Sequence, residues 1–169
     1  MTSSAKARHP IRANAQRVRK HLRRLEQIWV ESEIHLVNIC THRRQPVLAC
    51  DTVAPELVSV LRDVSATTAW CVGRYVIMPD HVHFFCWRTG ETHSLCDFVG
   101  QWKSWTTHRA WELGHEGRLW QSEFFDHLLR DEESYTEKWE YVRQNPVRAG
   151  LCETPDDWPY QGEITSAGT

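Results

Sequence analysis

The stretch from Trp70 to Trp87 constrains this chain more than any other. Trp70–Met78 is strongly apolar, Pro79-Asp80 supplies a turn, and His81–Trp87 follows at once. Two runs of strand length so close in sequence predict a β-hairpin. In the second run His81 and His83 stand at i and i+2, so both point to one face, while Val82, Phe84 and Cys86 point to the other. That alternation suits a strand with a packed core on one side and a polar site on the opposite side.

Other elements fall into place around the hairpin. Glu33–His42 reads as a strand. Thr52–Thr67 reads as a helix carrying Leu57, Leu61 and Val64 at helical spacing, with Thr52 as its N-cap and Pro55 in its first turn. Ser94–Glu112 is a long amphipathic helix with Leu95, Phe98, Trp102 and Trp105 predicted inward, the two tryptophans as core. After a Gly114–Gly117 loop, Leu119–Leu129 reads as a strand. Asp131 caps a last helix that ends near Asn145, because the residue before Pro146 is pushed out of the α region.

The first six elements match the split βαβ pattern. The expected fold is therefore α+β and ferredoxin-like, an antiparallel sheet with two helices on one face. The other face stays free for a site and for the C-terminal helix. In domain terms, residues 1–32 form a basic leader, 33–161 the folded domain and 162–169 a tail.

Charge is unevenly spread. The chain of 169 residues has 20 basic and 22 acidic side chains, yet the first 25 residues hold eight of the basic ones and no acid. A basic arm on an acidic body suits a polyanionic partner, and equally a solvated leader. No apolar run approaches the roughly 18 residues of a membrane span. The six cysteines form no CxxC pair, which fits reduced thiols, mostly core residues, in a cytoplasmic protein.

Two imidazoles one pleat apart can converge on one metal ion, or can simply be histidines at the edge of the core. The last helix offers a third donor. Tyr135, Trp139 and Val142 form its inward stripe, while Lys138, Tyr141 and Asn145 share a neighbouring face. Asn145 sits one turn from the Tyr141 phenol, so an amide ligand there would hold a metal near a nucleophile. Two nitrogens and an amide oxygen suit Mg²⁺ or Mn²⁺ with positions left open. Taken singly, Asn145 also reads as a helix end before proline and Tyr141 as a half-buried aromatic.

At these residues the chain resembles a known family. Tyr75-Val-Ile-Met-Pro-Asp-His-Val-His83 is similar to the strand-turn-strand signature of the HUH single-tyrosine transposases. Trp120-Gln121, Phe125-Asp126-His127, Arg130-Asp-Glu-Glu133 and Tyr141-Val-Arg-Gln-Asn-Pro-Val-Arg-Ala-Gly150 resemble their REP-associated branch, from about Leu25 to Tyr160. His83 and Tyr141 are 58 residues apart, and the ordered pair of motifs is far more specific than either alone.

The resemblance implies that His81, His83 and Asn145 hold a divalent metal and that Tyr141 is the nucleophile, borne on the C-terminal helix. Insertion-sequence relatives more often carry Gln where this chain has Asn145. The implied activity is a metal-dependent nickase and strand transferase on repeat hairpins, through a 5′-phosphotyrosine intermediate. The implied partner is single-stranded or hairpin DNA, bound by a monomer or a homodimer with no nucleotide cofactor.

Asp126 and His127 would orient a ligand or the DNA, or else are strand-edge polar residues. Lys138 would help ionise the phenol, or is a solvated charge. Lys103, Arg109, Arg130 and Arg148 are candidates for phosphate contact. Loss of activity is expected below about pH 6, where imidazoles protonate at their reference pKa of about 6.5. The alternatives are a domesticated hairpin-binding protein that no longer cuts and a metal-dependent phosphohydrolase using water.

Overall fold

The computed structural model describes residues 33–90, 93–129 and 131–164. The basic leader and Arg130 lie outside the described residues, as do residues 165–169 of the tail. The elements are β1 (Ile34–Cys40), α1 (Val53–Thr67), β2 (Trp70–Ile77), β3 (His81–Arg88), α2 (Leu95–Glu112), β4 (Phe125–Leu129), α3 (Glu132–Arg143), α4 (Asn145–Arg148) and β5 (Gln161–Glu163). The strands form one antiparallel sheet in the order β4-β1-β3-β2-β5. Its first four positions give the expected ferredoxin-like arrangement, and β5 adds an edge beside β2.

The sheet has two differently used faces. Val37 and Ile39 of β1, Val72 and Ile77 of β2, and Val82, Phe84 and Cys86 of β3 share one core with α1 and α2. Leu57, Leu61 and Val64 from α1 and Phe98, Val99 and Trp102 from α2 are all buried there. α3 covers the opposite face. Its Tyr135 ring lies 4.7 Å from Phe85, and Val142 packs with Val76, Met78 and Trp158. Trp139 is half-buried between these groups, with the Arg74 guanidinium 5.1 Å from its ring centroid. The predicted inward stripe of α3 is the one that packs.

Local chemistry sets several boundaries. Ser94 caps α2 in a reciprocal box with Asp97, and Asp131 accepts from the Ser134 amide at 2.7 Å to start α3. Thr52 makes no side-chain cap; its hydroxyl meets Cys50 Sγ instead. The inward stripe of α2 runs from Phe98 and Trp102 to Thr106 and Ala110, four residues per step, so Trp105 falls off it and is 38% exposed.

The fourth strand is shorter than the sequence suggests. Trp120 makes one bridge to Thr41, but the pairing resumes only at Phe125. Between them the Gln121 and Ser122 carbonyls accept from Lys103 Nζ at 2.7 and 2.9 Å, not from a ladder partner. α3 stops at Arg143, and after Gln144 a separate four-residue turn carries Asn145 with Pro146 in its first turn. All six cysteines are free, and only Cys40 and Cys86 are buried. Among the described residues no helix is long and apolar enough to cross a membrane.

Candidate functional site

β3 presents His81 and His83 on the face away from α1 and α2, as the alternation predicts, with Val82 and Phe84 wholly buried on the other side. The two rings meet edge to face with centroids 4.9 Å apart. Each imidazole is held differently. His81 Nδ1 lies 2.7 Å from Asp80 Oδ1, and the other oxygen of that carboxylate pairs with Arg44 Nε at 2.8 Å. A carboxylate on Nδ1 favours the tautomer that leaves Nε2 unprotonated and free for a ligand. His83 Nδ1 is buried with no hydrogen-bond partner.

Burial favours the neutral form of both rings. Burial lowers the His81 pKa against the pull of Asp80. His83 is lowered to about 3, by burial first and then by the charges of His81, Arg44 and Arg148. Neutral His83 therefore persists far below the pH 6 expected from the reference imidazole. Neutral imidazole is the form that binds metal. A partnerless buried nitrogen beside a second ring whose Nδ1 is fixed by a carboxylate is a donor set that fits a divalent ion. Among the described residues no cluster of three His, Cys, Asp or Glu side chains could hold a metal.

α3 brings the other candidates over this face. Val76 is the β2 residue opposite His83, and Val142 packs against Val76. Next to Val142, the Tyr141 side chain is 61% exposed. Arg148 folds back from α4 across the helix break. Its Nη2 donates to the Tyr141 carbonyl at 2.6 Å and to Asn145 Oδ1, and its guanidinium carbon lies 4.2 Å from the centre of the Tyr141 ring. Tyr141, Asn145 and Arg148 are thus one cluster, and the Arg148 charge is felt at His83. Lys138 lies one turn before Tyr141 on α3.

The remaining candidates separate. His127 stands opposite Leu36, and Leu36 opposite Phe85, so His127 shares the histidine face one row away from His83. Asp126 faces the α1–α2 side and binds His35 Nδ1 at 3.0 Å. Adjacent residues of a strand cannot both reach one face. Lys103 is committed to the two carbonyls above, and burial lowers its pKa. Arg109 pairs with Glu112 at 3.1 Å and Glu56 at 3.7 Å, in the helix layer behind the sheet.

Asp80, Arg44 and Asn38 were missed by the motif reading. Asn38 is directly opposite His83 on β1, and its Oδ1 is also buried without a partner. Asp80 was read only as a turn residue. Its signal was its place immediately before His81, where a carboxylate can reach Nδ1.

Comparison with known proteins gives this geometry a lineage. A REP-associated tyrosine transposase from Escherichia coli (strain K12) is 27% identical over 89 residues, 53% of this chain. The match spans about half the length of that relative, 52%. A solved structure of a REP-associated tyrosine transposase bound to a REP hairpin has the same fold, with a TM-score of 0.64 over 76% of this chain and 75% of that one, at 23% identity. The family model described as "Transposase IS200 like" matches residues 28–145, well over half of the sequence, and the chain belongs to that family.

Proposed function

We propose that this domain nicks and rejoins single-stranded DNA at repeat hairpins, with Tyr141 as nucleophile. One observation carries the reading. The two histidines and the Tyr141–Asn145–Arg148 cluster lie on the same side of the sheet, tied together by the packing of Val142 on Val76. Support for the substrate comes from the relative whose structure holds a REP hairpin.

His81, His83 and Asn145 would hold the ion, Mg²⁺ or Mn²⁺, which when bound supplies Lewis-acid charge at the scissile phosphate. The chain's own residues do the rest. Asp80 fixes His81, and Arg148 steadies the Tyr141 ring. The phenol oxygen forms a bond to phosphorus as the bond to the 3′ oxygen breaks. The phenolic proton is balanced by the one the 3′ oxygen takes up, leaving a 5′-phosphotyrosine and a 3′-hydroxyl. A second 3′-hydroxyl reverses these steps, so no nucleotide cofactor is consumed.

α3 packs on its own chain's sheet through Val142 on Val76, which supports a site assembled within one chain. His127 and the exposed Phe125 extend the same face toward the β4 edge and offer further DNA contact.

The test is a denaturing gel of labelled hairpin DNA incubated with the protein and Mn²⁺. A covalent protein-DNA adduct is expected, and is lost in Tyr141→Phe. Cleavage that persists without an adduct in that variant points to water as nucleophile. Binding without cleavage points to a domesticated hairpin-binding protein.

A further inference from the structure

The Asn145 side chain has two claimants. Its Oδ1 is the oxygen that the proposed metal would take, yet that oxygen accepts from Arg148 Nη2. The same nitrogen donates to the Tyr141 carbonyl at 2.6 Å, and the guanidinium stacks on the Tyr141 ring at 4.2 Å. The Tyr141 carbonyl is one of the last four of α3, which have no partner within the helix, so Arg148 also closes the helix end.

A guanidinium cannot lose its proton at any working pH. Sharing one amide oxygen between that fixed cation and a divalent ion is therefore repulsive.

We propose that Arg148 is a latch on the site. Its bond to Asn145 Oδ1 competes with the metal for that oxygen while its stacking keeps Tyr141 in place; metal binding requires the Arg148–Asn145 bond to break, and the released donors then face the incoming phosphate. This rests on the function proposed above and adds a positioning role for one residue. Arg148 acts through Asn145, and its effect on metal uptake is opposite in sign to that of a ligand. A residue that merely held the fold would weaken metal binding when changed; a latch strengthens it.

The experiment is Mn²⁺ titration of the DNA-free full chain by calorimetry, with thermal melts as a folding control. Arg148→Gln is expected to bind Mn²⁺ tighter by roughly three- to tenfold, the scale of one ordinary hydrogen bond. Arg148→Lys keeps the charge but lacks the planar fork, and a smaller tightening is expected there. In an Asn145→Ala background the Gln substitution should have little further effect.

Unchanged or weaker binding in Arg148→Gln overturns the latch. So does tightening that persists undiminished in the Asn145→Ala background, or that is absent from the Lys variant, since either assigns the effect to bulk charge. Mn²⁺ uptake that survives in His81→Ala/His83→Ala removes the metal centre itself and the latch with it. The earlier outcomes leave the DNA-cleaving reading standing, whereas the last does not.

Discussion

His83 and Asn38 face each other across the β1–β3 ladder, and each buries a polar atom, Nδ1 and Oδ1, that has no hydrogen-bond partner. A buried acceptor left unsatisfied costs about 1–3 kcal/mol. Asn38→Val removes it and places a β-branched side chain in a central strand. The variant is expected to be more stable than the parent by about 1 kcal/mol, read as a higher urea midpoint at unchanged slope. A lower midpoint would mean that the amide is satisfied in solution.

Asp80 tests the tautomer argument. Asp80→Asn keeps the shape but gives up the charge that holds both His81 and Arg44. Partners of this kind are worth about 10–100-fold in metal affinity. The Asn variant should bind Mn²⁺ at least about tenfold more weakly in calorimetry. A change of less than about twofold would remove Asp80 from the site.

Acid should unfold the metal-free chain partly through His83. Its folded pKa is about 3, against about 6.5 for an unfolded imidazole. Between those values the unfolded chain binds a proton that the folded chain refuses. The stability from neutral His83 is thus whole above pH 6.5 and drains as pH falls toward 3, by up to about 1.4 kcal/mol per pH unit. His81 acts in the same direction. Urea midpoints measured from pH 7 to pH 4 should fall less steeply in His83→Asn. Parallel curves would sink the claim.

Lys103 separates framework from DNA contact. Because Nζ spans the Gln121 and Ser122 carbonyls, Lys103→Met should lower stability by about 1–3 kcal/mol. Hairpin affinity and its dependence on salt should stay as they were. A salt slope shallower by about one unit would instead mark a phosphate contact.

Tyr141 should be dispensable for folding. Its side chain is largely exposed, so Tyr141→Phe should shift stability by no more than about 0.5 kcal/mol while abolishing the covalent adduct. A large loss of stability would spoil the adduct test and would show that the hydroxyl is structural.

What could be read from sequence follows the reach of each physical rule. Period-two alternation determined which way His81, Val82, His83 and Phe84 point, because each residue's direction depends only on its neighbours. The same rule, applied to Asp126 and His127, forbids both from joining the site; the family motif had grouped them by adjacency. Lys103 and Arg109 looked available because helix periodicity says nothing about the loop or the helix that later packs against them. Trp105 was misplaced by taking a three-residue step where the buried stripe takes four. β5 is only three residues long, too short for any pattern. Arg148 reads in the sequence as a charge, but its contacts to Tyr141 and Asn145 reach across the break at Gln144, which the motif does not mark.

The alternation on β3 also couples two things that are usually free to drift apart. Val82 and Phe84 are wholly buried, and the imidazoles stand between and beside them. Sliding β3 by one residue would exchange the sets, driving both imidazoles into an apolar interior and setting Val82 and Phe84 where the imidazoles stand. No half-shifted arrangement exists between these two. The core therefore sets which way the imidazoles point: a chain folded with Val82 and Phe84 in the core has its histidines on the α3 side, and slippage of this strand should yield unfolded protein, not folded protein with misdirected histidines.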